Sequence, residues 1–101
     1  MKKTFKLTHS KIKPARLIET VRRDVKKYLK REKSKSLPVG VDYWDFDCKF
    51  GPTEVKAEVI LASEISKCIS EAEAQNLESF YLEILAKPGY KNPKKNITID
   101  I

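Results

Sequence analysis

The chain has 101 residues, of which 41% are hydrophobic and 35% charged, and its formal net charge is +7. This length suits one domain with a single core, and the composition is not that of a disordered chain. The longest aliphatic run, residues 59–62, is far shorter than the ~20 apolar residues of a membrane-spanning helix, and Lys6 interrupts the apolar stretch that a signal peptide needs.

The first third of the chain predicts a strand followed by a long helix. Residues 3–8 alternate between apolar and polar side chains, as a strand does. Pro14 suits the first turn of a helix, and apolar residues then recur at helical spacing until about Glu32 or Lys33. These apolar residues are Leu17, Ile18, Val21, Val25, Tyr28 and Leu29. The serines, proline and glycine of residues 34–40 predict a loop.

The rest of the chain predicts three more strands and a second helix. Strict alternation over residues 41–50 predicts a strand that ends at Gly51, and residues 54–61 predict another, although Thr53 could instead begin a helix. Ser63 or Ser66 can cap the second helix, which buries Ile65, Ile69 and Ala72 and ends near Asn76. Residues 79–87 predict the last strand, stopped by Pro88 and Gly89.

The resulting order, β-α-β-β-α-β, predicts a ferredoxin-like α+β fold with an antiparallel sheet and both helices on one face. We assign residues 1–91 to a single domain and residues 92–101 to a C-terminal tail. Alternation of Ile97, Ile99 and Ile101 suggests that the tail adds a short edge strand. The expected core of the sheet is Phe5, Leu7, Trp44, Phe46, Phe80, Leu82 and Ile84.

Three segments carry a resemblance to a known family. They are residues 7–16 (LTHSKIKPAR), 44–51 (WDFDCKFG) and 79–91 (SFYLEILAKPGYK). Together they resemble a family of small bacterial proteins described as a domain of unknown function, over about residues 1–91. The resemblance implies a bacterial, cytoplasmic protein that stands alone, and it implies no activity, cofactor or catalytic residue.

Positive charge is concentrated on the first helix and its flanks. Residues 11–36 hold eleven Lys and Arg against three acidic residues, a net of +8, so the rest of the chain sums to −1. Such a stripe can neutralise phosphates. The alternative is a solvated helix face, which also needs charges, although like charges at four-residue spacing repel and a purely structural face more often mixes signs. The hypothesis is that nucleic acid binds Arg16, Arg23, Lys26, Lys27, Lys30 and Arg31.

The open face of the sheet offers a weaker candidate site. It is predicted to present Lys6, Tyr43, Asp45, Asp47, Lys49, Tyr81, Glu83 and Lys87. The two tyrosines could stack on bases, but the RNP pattern of RNA-recognition domains is missing and the carboxylates repel phosphate. Asp45, Asp47 and Glu83 could hold a divalent cation, although cross-strand pairing with lysines accounts for them better.

The remaining reactive residues suggest no chemistry. His9 is best explained by local packing or hydrogen bonding in a loop, since no nucleophile can be named for it. Cys48 and Cys68 lie twenty residues apart with no CxxC spacing, which predicts reduced thiols in a cytoplasmic protein, and both suit buried positions. Phosphate loops, zinc spacings and nucleophile elbows do not occur in the sequence. We therefore predict no catalytic residue, no metal ligand and no cofactor.

The combined prediction is a non-enzymatic protein of the bacterial cytoplasm, with no membrane partner, that binds a polyanion through its first helix. RNA or a ribonucleoprotein is the expected partner. The alternative is a protein-interaction or homo-oligomerising module, such as a homodimer formed through a sheet edge or the open face. An enzyme is the third possibility.

Overall fold

The structure is a computed structural model, and it describes residues 1–91. This part of the chain contains four strands and two α-helices. They are β1 (Lys2–Lys6), α1 (Pro14–Lys33), β2 (Tyr43–Gly51), β3 (Glu58–Ile60), a short 3₁₀ turn (Ala62–Glu64), α2 (Ile65–Ala74) and β4 (Ser79–Gly89). The predicted α+β class and β-α-β-β-α-β order are confirmed. The tail strand predicted at Ile97, Ile99 and Ile101 lies outside the described residues.

The sheet is antiparallel throughout, with strand order β1-β4-β2-β3. The long central pair runs from Tyr43 opposite Gly89 to Gly51 opposite Tyr81. In contrast, β1 pairs with residues 79–83 of β4, and β3 pairs with residues 48–50 of β2. The other ends of β2 and β4 therefore form a two-stranded arm, and within residues 1–91 no strand lies along either outer edge of it.

Both helices cover one face of this sheet, as predicted. The buried stripes of α1 (Ile18, Val21, Val25) and α2 (Ile65, Ile69, Ala72) join one apolar cluster with the inward side chains of the strands. Those strand residues include Phe5, Phe46, Cys48, Phe80, Leu82 and Ile84. Burying such a cluster is the main favourable contribution to folding.

The position of Trp44 differs from the prediction. The side chain is half-buried at the margin of the core, whereas Phe46 is buried as expected. Its indole N–H donates a hydrogen bond to the backbone oxygen of Lys35, at 2.9 Å. Trp44 therefore ties the loop after α1 to the sheet instead of filling the centre of the core.

The third strand is shorter than the alternation predicted. Residues 53–56 form a turn, in which the hydroxyl of Thr53 accepts a bond from the Lys56 amide at 3.3 Å, so neither the long strand nor the alternative helix forms there. Strand pairing begins only at Glu58, opposite Phe50. Alternation alone cannot reveal that the residues before Glu58 are used to turn the chain between β2 and β3.

The last strand is longer than predicted, because Pro88 and Gly89 continue the ladder instead of ending it. Pro88 lies opposite Trp44, and the Gly89 backbone oxygen accepts from the Asp42 amide at 3.0 Å, on the β2 side. Since successive residues of a strand turn their amides to opposite sides, the ring nitrogen of Pro88 faces the open edge of the arm. Proline is tolerated in sheets at such an edge.

Candidate nucleic-acid interface

Helix α1 presents two contrasting faces because its apolar residues recur every three or four positions. Pro14 occupies the first turn, where its missing N–H has no intrahelical partner to lose. Basic residues fill the last turn, where the helix dipole favours positive charge. The face opposite the buried stripe is open to solvent along the whole helix.

All six residues predicted to bind nucleic acid are exposed, but they do not point in one direction. At 3.6 residues per turn, Arg16, Arg23, Lys27 and Lys30 form a row directly opposite the buried stripe, which we call the basic ridge. Lys26 lies to one side of the ridge, where it lines a groove against α2. Arg31 lies to the other side, where its guanidinium carbon is 5.5 Å from the centre of the Tyr28 ring. The helix thus brings four of the six residues into one line.

Little of this positive charge is neutralised by neighbouring carboxylates. Within residues 1–91, ion pairs join Glu32 to Lys35 at 2.8 Å, Glu32 to Arg31 at 4.0 Å, and Asp47 to Lys87 at 2.6 Å. None of the ridge residues has a carboxylate partner in that part of the chain. A row of exposed, unpaired cations raises the local positive potential, which attracts anions.

Arg22 is the one basic residue of α1 with a clear structural role. Its guanidinium donates to the hydroxyl of Ser66 at 2.8 Å and to that of Ser70 at 2.6 Å, both on α2. These bonds hold the two helices side by side. Arg22 is not among the predicted binding residues, and the sequence itself gave no sign of these bonds.

A shallow hollow beside the ridge brings in residues that the sequence analysis missed. It has a volume of about 430 Å³, lies between α1 and β1, and is lined by Met1, Lys3, Asp24, Lys27, Tyr28 and Arg31. Lys3 is on the helix-covered face of β1, and its ammonium lies 4.9 Å from the centre of the Phe5 ring. The alternation of β1 predicts that Lys3 shares a face with Phe5. That this part of β1 lies beside α1 is shown only by the structure.

Negative charge is concentrated in one segment as well, although the net charge of the whole chain is positive. Residues 52–78, which include β3 and α2, hold six Glu against two Lys, a net of −4. Because α2 lies beside α1, one helical layer carries a basic side and an acidic side. A polyanion is therefore attracted to α1 and repelled from the neighbouring helix.

The open sheet face does not form the sites considered for it. Tyr81 is only 4% exposed, and its hydroxyl donates to Glu83 Oε1 at 2.8 Å. Burial, together with Glu83 and Glu54, raises the pKa of Tyr81 to about 12. Its ring is therefore unavailable for stacking on a base. Asp47 instead pairs with Lys87, whose pKa it raises, and Asp45 accepts from the Phe46 amide at 2.8 Å.

His9 and Cys48 occupy the positions predicted for them, a local hydrogen bond in a loop and a buried site, whereas Cys68 is only half-buried. His9 Nδ1 accepts the Lys11 amide at 3.0 Å, within the loop before α1. Cys48 is a buried free thiol, and burial, reinforced by Asp47 and Asp45, raises its pKa to about 11. Burial also raises the pKa of the half-buried Cys68 thiol. Both shifts disfavour the thiolate that a nucleophile or a metal ligand requires.

Two further features are absent from residues 1–91. No cluster of three or more His, Cys, Asp or Glu side chains is arranged to hold a metal ion there. Neither helix in that part of the chain combines the length and the apolar character needed to cross a bilayer.

Comparison with known proteins identifies a family. Searches of curated proteins and of solved structures returned no match. A family model described as "Family of unknown function (DUF6172)" matches residues 1–96, which confirms the family of unknown function suggested by the three sequence segments and extends five residues beyond the likeness they indicated. The chain therefore belongs to this family of unknown function, DUF6172.

Proposed function

We propose that this protein is a non-enzymatic nucleic-acid-binding protein of the bacterial cytoplasm, and that RNA or a ribonucleoprotein binds along α1. The observation that carries the proposal is the basic ridge. Its four cations are exposed, lie in one row, and have no carboxylate partner within residues 1–91. The lateral residues Lys26 and Arg31 widen this cationic surface.

The ridge suits a phosphate backbone better than an isolated anion. Arg23, Lys27 and Lys30 follow one another by three or four positions, a separation of about 5–6 Å, so they can contact successive phosphates of one RNA strand. Arg16 lies two turns, about 10 Å, before Arg23 and can reach a phosphate farther along the same strand. Contacts to phosphate position a nucleic acid and carry no sequence information by themselves. We therefore expect the ridge to provide affinity that falls with salt and depends weakly on base sequence.

Reversing two ridge charges tests the proposal. The double variant Arg16→Glu with Arg23→Glu leaves the buried stripe intact, and a glutamate in the first turn suits the helix dipole. We expect its affinity for single-stranded RNA at low salt to fall about tenfold or more, because each hydrogen bond to a charged group contributes about 1.5–3 kcal/mol. The slope of log affinity against log salt should lose about 1.4 in magnitude. Fluorescence anisotropy at several salt concentrations measures both.

The matched control changes the net charge equally on the acidic side of the molecule. Lys56→Glu with Lys67→Glu alters two exposed residues within segment 52–78 and should leave the salt slope unchanged. Equal losses in both double variants would mean that net charge, and not the ridge, governs binding. A parent protein that binds no nucleic acid at low salt would overturn the proposed function.

A second candidate function, a homo-oligomerising module, is favoured by the arm of β2 and β4. Its outer edges carry backbone groups with no neighbouring strand in residues 1–91, and such edges pair readily with other strands. This function predicts a mass that rises with protein concentration, measured by sedimentation. A second proline at the β4 edge, Ala86→Pro, should then restore the monomer. A monomeric mass at every concentration would contradict this function and leave nucleic-acid binding untouched.

A further inference from the structure

The hollow between α1 and β1 has a chemical composition that the ridge lacks. Three basic side chains surround it, those of Lys3, Lys27 and Arg31, together with the Met1 amine and one aromatic ring. Its volume of about 430 Å³ falls within the usual range of small-ligand sites. It is continuous with the basic ridge, because Lys27 belongs to both. A single-stranded RNA that follows the ridge can therefore reach the hollow without leaving the cationic surface.

The aromatic ring at the base of the hollow is held in place. The hydroxyl of Tyr28 accepts from the Met1 amine at 3.0 Å and donates to the Ile84 backbone oxygen at 3.4 Å. Tyr28 in turn orients Arg31, whose guanidinium packs against the ring while the side chain stays 72% exposed. Most of the Arg31 side chain is thus open to solvent and offers a planar guanidinium. Unpaired bases stack on such planes in RNA complexes.

Asp24 is the feature that a plain phosphate site would not contain. It is exposed among the three basic side chains, and it forms no ion pair within residues 1–91. A carboxylate repels phosphate, but it accepts hydrogen bonds from base amino groups, as from N4 of cytosine. Uracil, like thymine, presents an acceptor oxygen at that position, so Asp24 would disfavour it.

We propose that this hollow binds one unpaired nucleotide of single-stranded RNA and prefers a base with an exocyclic amino group. Lys3 and Lys27 contact the phosphate, the base stacks on Arg31, and Asp24 accepts from the amino group. This inference rests on the proposed function, because the ridge supplies most of the affinity. It adds a site that discriminates between bases, which the ridge alone cannot do.

Comparing oligocytidylate with oligouridylate of about ten nucleotides tests the inference. We expect the parent to bind oligocytidylate about fivefold more tightly, the lower end of what a good base contact contributes. In Asp24→Asn the preference should disappear, because an amide can also donate to the uracil oxygen. Affinity for oligouridylate should rise as a negative charge is removed, whereas oligocytidylate also loses a charge-assisted contact and should change little. Anisotropy at neutral pH and low salt measures both affinities.

The control for Asp24→Asn is Glu19→Gln, which removes one negative charge from the same helix, outside the hollow. It should raise both affinities and leave the cytosine preference as in the parent. A parent without preference, or a preference that survives Asp24→Asn, would overturn the inference while the ridge continues to bind RNA. Absence of binding to either oligomer would instead overturn the proposed function, and the inference with it.

A second variant tests the stacking contact separately. Arg31→Lys keeps the positive charge but removes the planar group on which a base can stack. We expect it to weaken binding of both single-stranded oligomers several-fold and to leave binding of duplex RNA unchanged, since paired bases cannot stack on the hollow. Equal losses for single-stranded and duplex RNA would mean that Arg31 contacts phosphate only, which contradicts the stacking. Urea unfolding of each variant verifies that the fold is intact.

Discussion

Replacing Phe80 by alanine is expected to lower the free energy of unfolding by about 3–5 kcal/mol, the largest effect we predict for any single substitution in this chain. The side chain is 0% exposed, near the start of the inner strand β4, and belongs to the apolar cluster that also includes the buried stripes of both helices. Its ring lies between those of Phe5 and Phe50, with centroid distances of 5.4 and 5.1 Å. The substitution therefore removes apolar area, leaves a cavity and breaks two aromatic contacts.

Such a loss is comparable to the whole stability of a small domain, about 5–15 kcal/mol. The melting temperature should fall by more than ~10 °C, since 1 kcal/mol shifts it by about 4–8 °C at this size. Val59→Ala is the control, because Val59 is 78% exposed on the edge strand and should change stability by less than ~0.5 kcal/mol. Equal melting temperatures for the Phe80 variant and the parent would contradict the packing described for the core.

The fold could be predicted from the sequence where a single periodicity extends over many residues. Alternation through β2 and β4 and the helical spacing in α1 each predict a buried face, and the structure confirms those faces. Tyr81 departs from the pattern, because it is buried on the opposite face of β4. The predictions were wrong where the outcome depends on a distant partner. Whether β3 begins at residue 54 or at residue 58 depends on where its backbone first pairs with β2. Whether Pro88 ends β4 depends on which edge of the strand its ring nitrogen faces.

The candidate site was predictable only in part, for a similar reason. The ridge lies on one helix, so charge counting and helical spacing alone predict its exposed row. The hollow joins β1 to the later turns of α1, residues that are about twenty or more positions apart in the chain. Asp24 illustrates the difference, because along the sequence it only reduces the net charge of α1. In the fold it stands among three basic side chains, where a carboxylate gains a distinct chemical role.

The acidic segment also affects how salt dependence should be interpreted. If α1 of one molecule contacted segment 52–78 of another, that association would weaken with salt just as RNA binding does. Salt sensitivity alone therefore does not distinguish RNA binding from an association between copies through α1 and segment 52–78. The control pair Lys56→Glu and Lys67→Glu does, because it should strengthen contacts between copies and leave the affinity of the ridge for RNA unchanged.

Replacing Gly51 by alanine is expected to destabilise the protein by about 1–3 kcal/mol, although glycine-to-alanine changes in strands usually stabilise. A methyl group built on Gly51 would lie 2.6 Å from the Ala57 Cα and 2.8 Å from the Lys56 backbone oxygen. Both neighbours are backbone atoms, so the turn over residues 52–57 must move away as a unit. That turn lies next to buried Tyr81, the cross-strand partner of Gly51.

Gly40 provides a comparison in which an added Cβ would contact no neighbour. Its φ is +85°, and nothing lies within 4 Å of the position that a Cβ would occupy, so alanine there costs about 1–2 kcal/mol through backbone conformation alone. Asparagine tolerates that conformation, so Gly40→Asn should be milder than Gly40→Ala. At Gly51 the order should reverse, because asparagine is larger and the obstacle is contact. Urea unfolding of the four variants measures the loss of unfolding free energy for alanine and asparagine at each position. A smaller loss for asparagine than for alanine at both positions would show that the turn does not pack on Gly51.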